Sequence, residues 1–187
     1  MAITINGSGT VTGLAVGGLP DGTVDAGTLA TDSVTAAKLE ASAITGADLP
    51  AGSVLQVVQG TTSTSTTTTS TSWVATTLYA AITPRSTTSK ILVTFSASAY
   101  VPDGSQSAAT IYRNAVELTG KTSGIHKLWY DGTRGVGDSG GQYLDSPSLT
   151  SEITYKIYIK SINSVSFNFP TNEDTTHTTI TLMEIAG

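Results

Sequence analysis

The sequence predicts a mostly β protein in three parts: an extended N-terminal arm (residues 1–18), a repetitive shaft (19–53) and an antiparallel, jelly-roll-like β-sandwich head (54–187). Three observations predict it. Large apolar residues stand five apart through the early part of the chain without a slip. Ser and Thr make up about 30% of the residues and charged side chains only 12%, a mix that suits β-structure and chain-to-chain packing better than a helical enzyme. From Val54 onward, short runs alternate apolar with polar residues between Gly, Pro and Ser loops, as antiparallel sandwiches and jelly rolls do.

The arm, MAITINGSGTVTGLAVGG, sets Ile3 and Ile5 among polar residues and then meets Gly7 and Gly9. It reads as a short strand or extended segment. Such a terminus is either a docking peptide or a frayed end. It has no basic n-region and no apolar h-region, so no signal peptide is expected and the chain is expected to be made and assembled in a cytoplasm.

The shaft holds one phrase in several copies, with Leu14, Leu19, Val24, Leu29, Val34, Leu39, Ile44, Leu49 and Val54 five apart. A helix turns such residues about 140° from one another, so they form no stripe. On a strand an odd step sends them to alternate faces. The residues between are small or polar, so a single chain has little to bury. Burying one Leu or Val contributes about 1.5–3 kcal/mol, against roughly 1–2 kcal/mol to order each backbone residue. Copies running side by side would stack these residues in layers, as repeats that cannot bury their own face must do. One-turn helices are expected after Thr35 and Thr45, each a Thr N-cap. At about 3.3 Å per residue the shaft cannot exceed about 115 Å.

In the head, VLQVVQ (54–59) is apolar-rich, and the TTSTSTTTTSTS tract (61–72) reads as a loop or an edge strand. Strands are expected at 73–82, 90–100, 108–118, 153–162, 165–169 and 177–185. Arg113-Asn114 reads as a hairpin turn. In 153–162, Tyr155, Ile157 and Ile159 share one face, and Lys156, Tyr158 and Lys160 the other. The region 119–150, with seven glycines, reads as long surface loops with one strand at 125–130.

Candidate chemistry is sparse. GDSGG (137–141) resembles the nucleophile loop of trypsin-like proteases, with Ser139 as nucleophile. That mechanism needs a base His and an orienting Asp. The only histidines are His126 and His177, and nothing resembles the upstream half of that fold, so a Gly/Ser/Asp turn is the expectation. No calcium-loop spacing, phosphate loop or dinucleotide fingerprint is present, and with no Cys there is neither a disulfide nor a thiolate metal site. Glu117, Asp131, Asp138, Asp145 and Glu152 are the carboxylates a glycosidase would need to pair. No enzyme, cofactor or metal is expected. The net charge is −5 and residues 1–84 carry one basic side chain, Lys38, which argues against nucleic-acid binding. No apolar run approaches the ~18 residues of a membrane span, so no membrane insertion is expected.

The phrases GLPDGTV, ATDSVTAAKL and ITGADLPAGSV, then VLQVV, a Ser/Thr tract, AITPRSTTSKILVTFSASAYV (81–101) and the closing ITLMEIAG, together resemble tail-fibre and related appendage proteins of bacteriophages, cyanophages included. The resemblance covers most of residues 14–187, though not the 119–150 region. It implies a virion structural protein assembled in the host cytoplasm: a short homotrimeric tail fibre with an intertwined trimeric shaft. The arm, through Ile3, Ile5 and Leu14, would attach to other virion proteins of the tail or baseplate. The shaft core would be Leu19, Val24, Leu29, Val34, Leu39, Ile44, Leu49 and Val54. The head would meet a host cell-surface glycan or protein through loops bearing Trp129, Tyr130 and Tyr143, unless these rings simply pack under the loops. The head is also similar to trimeric jelly rolls of the complement-head and tumour-necrosis-factor type. The alternatives are a head fibre or capsid decoration protein with a stabilising role, and a surface depolymerase with paired carboxylates.

Overall fold

The computed structural model describes residues 4–5, 11–12, 29, 31, 34–35, 39, 44–130, 132, 135–171 and 178–187. The chain divides into two compact units, Met1–Ile44 and Thr45–Gly187. In the first, β1 (Thr4–Ile5) pairs antiparallel with β2 (Val11–Thr12), so Ile5 lies on a short strand opposite Val11. Ile3, Leu14, Leu19 and Val24 lie outside the described residues. So do Ala36–Lys38, where the turn after Thr35 was expected.

The second unit opens with the one-turn 3-10 helix expected after Thr45, over Gly46–Asp48. The Asp48 carboxylate accepts from the Thr45 hydroxyl at 2.7 Å and from the Thr45 N–H at 2.8 Å. These bonds hold its carboxyl below the usual range, and they close the turn as a capping residue should. Gly52 N–H then donates to Ala186 O, and Ala186 N–H to Ser53 O, both at 2.8 Å. The end of the repeat is thereby tied to the end of the chain.

Eleven strands follow: β3 (Val54–Thr62), β4 (Thr66–Thr68), β5 (Val74–Ile82), β6 (Lys90–Val101), β7 (Gln106–Arg113), β8 (Val116–Glu117), β9 (His126–Trp129), β10 (Gly135–Asp145), β11 (Ile153–Ser161), β12 (Phe167–Phe169) and β13 (Thr178–Ile185). They form two sheets in which every described pairing is antiparallel. The first runs β3-β13-β6-β12-β4, with β10 on the other side of β6. The second runs β5-β11-β7-β8, with β9 also on β7. The Ser/Thr tract supplies the last residues of β3 and the short edge strand β4.

Alternation drives burial. Ile91, Val93, Phe95, Ala97, Ala99 and Val101 of β6 point to the core, as do Tyr155, Ile157 and Ile159 of β11 and Ile180 and Leu182 of β13. One cluster joins these side chains from both sheets, with Leu78, Ile82, Ile111, Phe167 and Phe169.

Two expectations need correction. The hairpin after β7 turns at Asn114-Ala115, one residue later than expected, because Arg113 pairs with Val116. Asn114 takes a positive φ of 53°, which Asn tolerates better than most residues. More important, GDSGG is not a surface turn. It forms the middle of the eleven-residue β10, which pairs with β6 along its whole length. Glycine disfavours strands in isolation, but tertiary pairing overrides propensity. At Gly141 a Cβ would stand 2.9 Å from Ile125 Cγ2 and 3.0 Å from Phe95 Cε1. The missing side chain is what lets core atoms approach the strand there.

Asp145, at the end of β10 in the first sheet, links to the second. Its carboxylate takes two 3.0 Å bonds from Arg113 Nη1 of β7 and a 2.6 Å bond from the Tyr155 hydroxyl of β11. Burial, then the Asp145 carboxylate, push the Tyr155 phenol far above its ordinary range.

Candidate functional site

Because strand side chains alternate, each sheet has a core face and an outer face. The outer faces are the two candidate surfaces, and they differ in chemistry.

On the first sheet, β10, β6, β13 and β3 lie side by side, and one row crosses them: Leu144 opposite Leu92, Leu92 opposite Met183, Met183 opposite Val57. All four are on the side away from the core. Leu144 is 50% exposed and Val57 57%. Toward the N-terminal end of β3, Ile185 stands opposite Val54, itself 54% exposed. Six apolar side chains therefore adjoin on an outer face. The next row, Gln142, Thr94, Thr181 and Gln59, is uncharged. The strands bring Lys90 and Asp138 as the charges of this face.

The second sheet's outer face carries aromatic rings and ammonium groups. One row runs Tyr79, Lys156, Tyr112, Glu117 across β5, β11, β7 and β8. Four residues along β11, Lys160 stands opposite Ala108, which stands opposite Lys127 of β9. Lys156 Nζ lies 5.1 Å from the Tyr79 ring centre, and Lys160 Nζ 4.5 Å from that of Trp73, within cation–π range. Tyr112 and Tyr158 stack at 3.8 Å between centres. Burial, then the nearby Glu117 carboxylate, raise the Tyr112 phenol. Trp73 is seated over Gly124, whose φ of +63° and lack of a Cβ admit the ring: a Cβ would stand 2.8 Å from Trp73 Cη2. Burial pushes Glu117 upward, but bonds from the Thr110 and Thr119 hydroxyls and from the Gly120 and Thr119 N–H groups outweigh it and hold the carboxyl below its usual range.

Of the expected receptor residues, Trp129 lies on this face, on β9 opposite Gln106, and is 68% exposed. Tyr130 follows it, exposed, its ring against Gly135. Tyr143 is not with them. It lies on β10 rather than a loop, half-buried and packed against the core. Trp73, Tyr79, Tyr112, Lys127 and Lys156 were not singled out together from the sequence, because strand pairing places them side by side.

His126 and Ser139, thirteen residues apart in the chain, meet in the structure. His126 Nδ1 lies 3.0 Å from Ser139 Oγ. The contact has the form of a nucleophile–base link, but Ser139 is only 2% exposed, and no carboxylate among the described residues is bonded to His126. A substrate carbonyl has no access to Oγ as the chain stands. Among the described residues no three His, Asp or Glu cluster to hold a metal, and no helix is long and apolar enough to cross a membrane.

No protein-family model matches the chain, and no curated protein matches it.

The shaft residues within the described set are Leu29, Val34, Leu39, Ile44, Leu49 and Val54, exposed by 45, 54, 44, 55, 39 and 54%. Six large apolar residues in one five-step series are thus each left about half exposed.

Three distant segments of the head also meet at one carboxylate. Glu184 of ITLMEIAG is fully buried and accepts from Arg85 N–H at 2.6 Å, from Ser89 Oγ at 2.6 Å and from Gln56 Nε2 at 2.5 Å. Burial raises its pKa, but these bonds and the Arg85 charge hold the carboxyl below its ordinary range. The TPRSTTSK loop is therefore folded over the last strand by one carboxylate. Its role is structural.

Proposed function

We propose that the chain is a virion structural protein, a short homotrimeric phage tail fibre that attaches through its N-terminus and presents its head to the host surface. The observation that carries this reading is the uncovered five-step series from Leu29 to Val54. Covering the exposed half of each such side chain contributes about 1 kcal/mol per copy, and copies running side by side stack such a series in layers. The apolar row Leu144–Leu92–Met183–Val57 supports a second contact between copies, on the head. Beside it lie Val54 and Ile185, where the five-step series enters β3.

The strand order supports a jelly-roll-like head. Taking β3/β4, β8/β9 and β12/β13 as interrupted single rungs leaves eight, numbered along the chain. They lie 1-8-3-6 in one sheet and 2-7-4-5 in the other, the alternation between two sheets that a double-sheet jelly roll uses. The test is the mass of the full chain by light scattering at micromolar concentration. A value near 57.3 kDa, three times the chain's 19.1 kDa, is expected. A value of 19.1 kDa would overturn the fibre reading and leave the repeat a linker.

A further inference from the structure

We infer that the outer face of the second sheet binds an acidic polysaccharide, with Lys127, Lys156 and Lys160 contacting its carboxylate or sulfate groups and Tyr79 and Trp129 offering ring surface to its sugars. The inference rests on the fibre reading for its biological target but not for its chemistry.

Charge makes the first argument. The chain as a whole carries −5, yet the strands of this face present three ammonium groups against one carboxylate, Glu117, which is occupied by four hydrogen bonds. A cationic face on an acidic protein selects an anionic partner.

Geometry makes the second. Lys156 and Lys160 are four residues apart on one strand, about 14 Å, and Lys160 and Lys127 are two strands apart, about 10 Å. The cations are spread over a plane rather than gathered in a pocket, which suits a polymer with acid groups at intervals and not a single small anion. Two of the ammoniums are already held over rings, so less side-chain freedom is lost when they engage a ligand.

The rings make the third. Trp129 is the most exposed large apolar residue described, and Tyr79 is 54% exposed. Exposed aromatics beside phenol hydroxyls and ammoniums match a ligand with apolar C–H faces, hydroxyls and acid groups. A single-stranded nucleic acid also pairs cations with rings. It fits less well, because three cations neutralise few phosphates on a chain that repels the rest.

The test is binding of the full chain to polygalacturonate, dextran sulfate, neutral dextran and oligothymidylate by biolayer interferometry, at about 50 and 300 mM salt. At least one acidic polysaccharide is expected to bind, more weakly at the higher salt, and neutral dextran is not. The triple variant K127Q/K156Q/K160Q is expected to lose about tenfold or more in affinity and Trp129→Ala about threefold, while Lys90→Gln on the other sheet leaves it unchanged. Preference between polygalacturonate and dextran sulfate names the acid group. The proposal fails if neither acidic polymer binds, if the folded triple variant binds like the parent, or if oligothymidylate binds tighter than both. A trimer that fails to bind sinks this inference alone. A monomer that binds sinks the fibre reading alone.

Discussion

The outer faces of the two sheets are built by the same alternation of side chains, yet one is apolar and nearly uncharged while the other is aromatic and cationic. On the first, Leu144, Leu92, Met183 and Val57 form an unbroken row. On the second, the matching row reads Tyr79, Lys156, Tyr112, Glu117. Both leave ring or aliphatic surface in water, so exposure alone does not separate them. Charge does. Interface cores are depleted of charged residues, while surfaces that meet soluble or polymeric ligands are not. The difference teaches that one side of the head has the composition of an interface core and the other does not.

The same insertion made on each face breaks the comparison most directly. Leu92→Asp places a carboxylate in the middle of the apolar row. If copies meet there, the cost is about 3 kcal/mol or more per copy, and the light-scattering mass is expected to fall from 57.3 toward 19.1 kDa. Lys156→Asp puts the same group on the other face and is expected to leave the mass unchanged. Equal effects from the two would mean the faces do not differ in role.

A second change strikes both faces together. Asp145 is the residue through which β10 of one sheet grips β7 and β11 of the other. Asp145→Ala leaves the Arg113 guanidinium and the buried Tyr155 hydroxyl without their acceptor. The expected loss is about 3 kcal/mol, read as a lower denaturant midpoint with an unchanged slope. A loss under about 0.5 kcal/mol, the range of ordinary surface substitutions, would show that the sheets are held by their apolar cluster alone.

Much of this fold was legible in the sequence, for a plain reason. β11 alternates cleanly, and alternation is local. The assignment of Tyr155, Ile157 and Ile159 to one side and Lys156, Tyr158 and Lys160 to the other needed no partner strand. β10 was illegible because its glycines carry no pattern; the space at Gly135 is taken by Tyr130, at Gly137 by Leu128 and at Gly141 by Ile125 and Phe95. The candidate surfaces were illegible for a related reason. Leu92 and Met183 are ninety-one residues apart in number and adjacent in register, and nothing local says so. Trp129 was found because it is large and lies in a glycine-rich stretch. Lys127, beside it, was not, because a single lysine carries no signal until Lys160 is known to be near.

The smallest of these effects concerns acid, and it belongs to the apolar side alone. Glu184 is buried beneath that sheet and folded over by Gln56, Arg85 and Ser89. Its carboxyl is held below its ordinary value, so the folded state binds a proton less readily than the unfolded one. The stability it supplies is present above the unfolded value, about pH 4.3, and is lost as pH falls from there through the lower, folded value. Glu184→Gln keeps the shape but offers one carbonyl oxygen to donors that now share two. At pH 7 it is expected to cost about 2 kcal/mol. Because the variant cannot titrate, its melting temperature should fall less steeply than the parent's between about pH 5 and pH 3. Parallel acid curves would mean that another carboxylate, with Glu117 on the opposite face the first candidate, carries the response, and the variant E117Q would then flatten the curve instead.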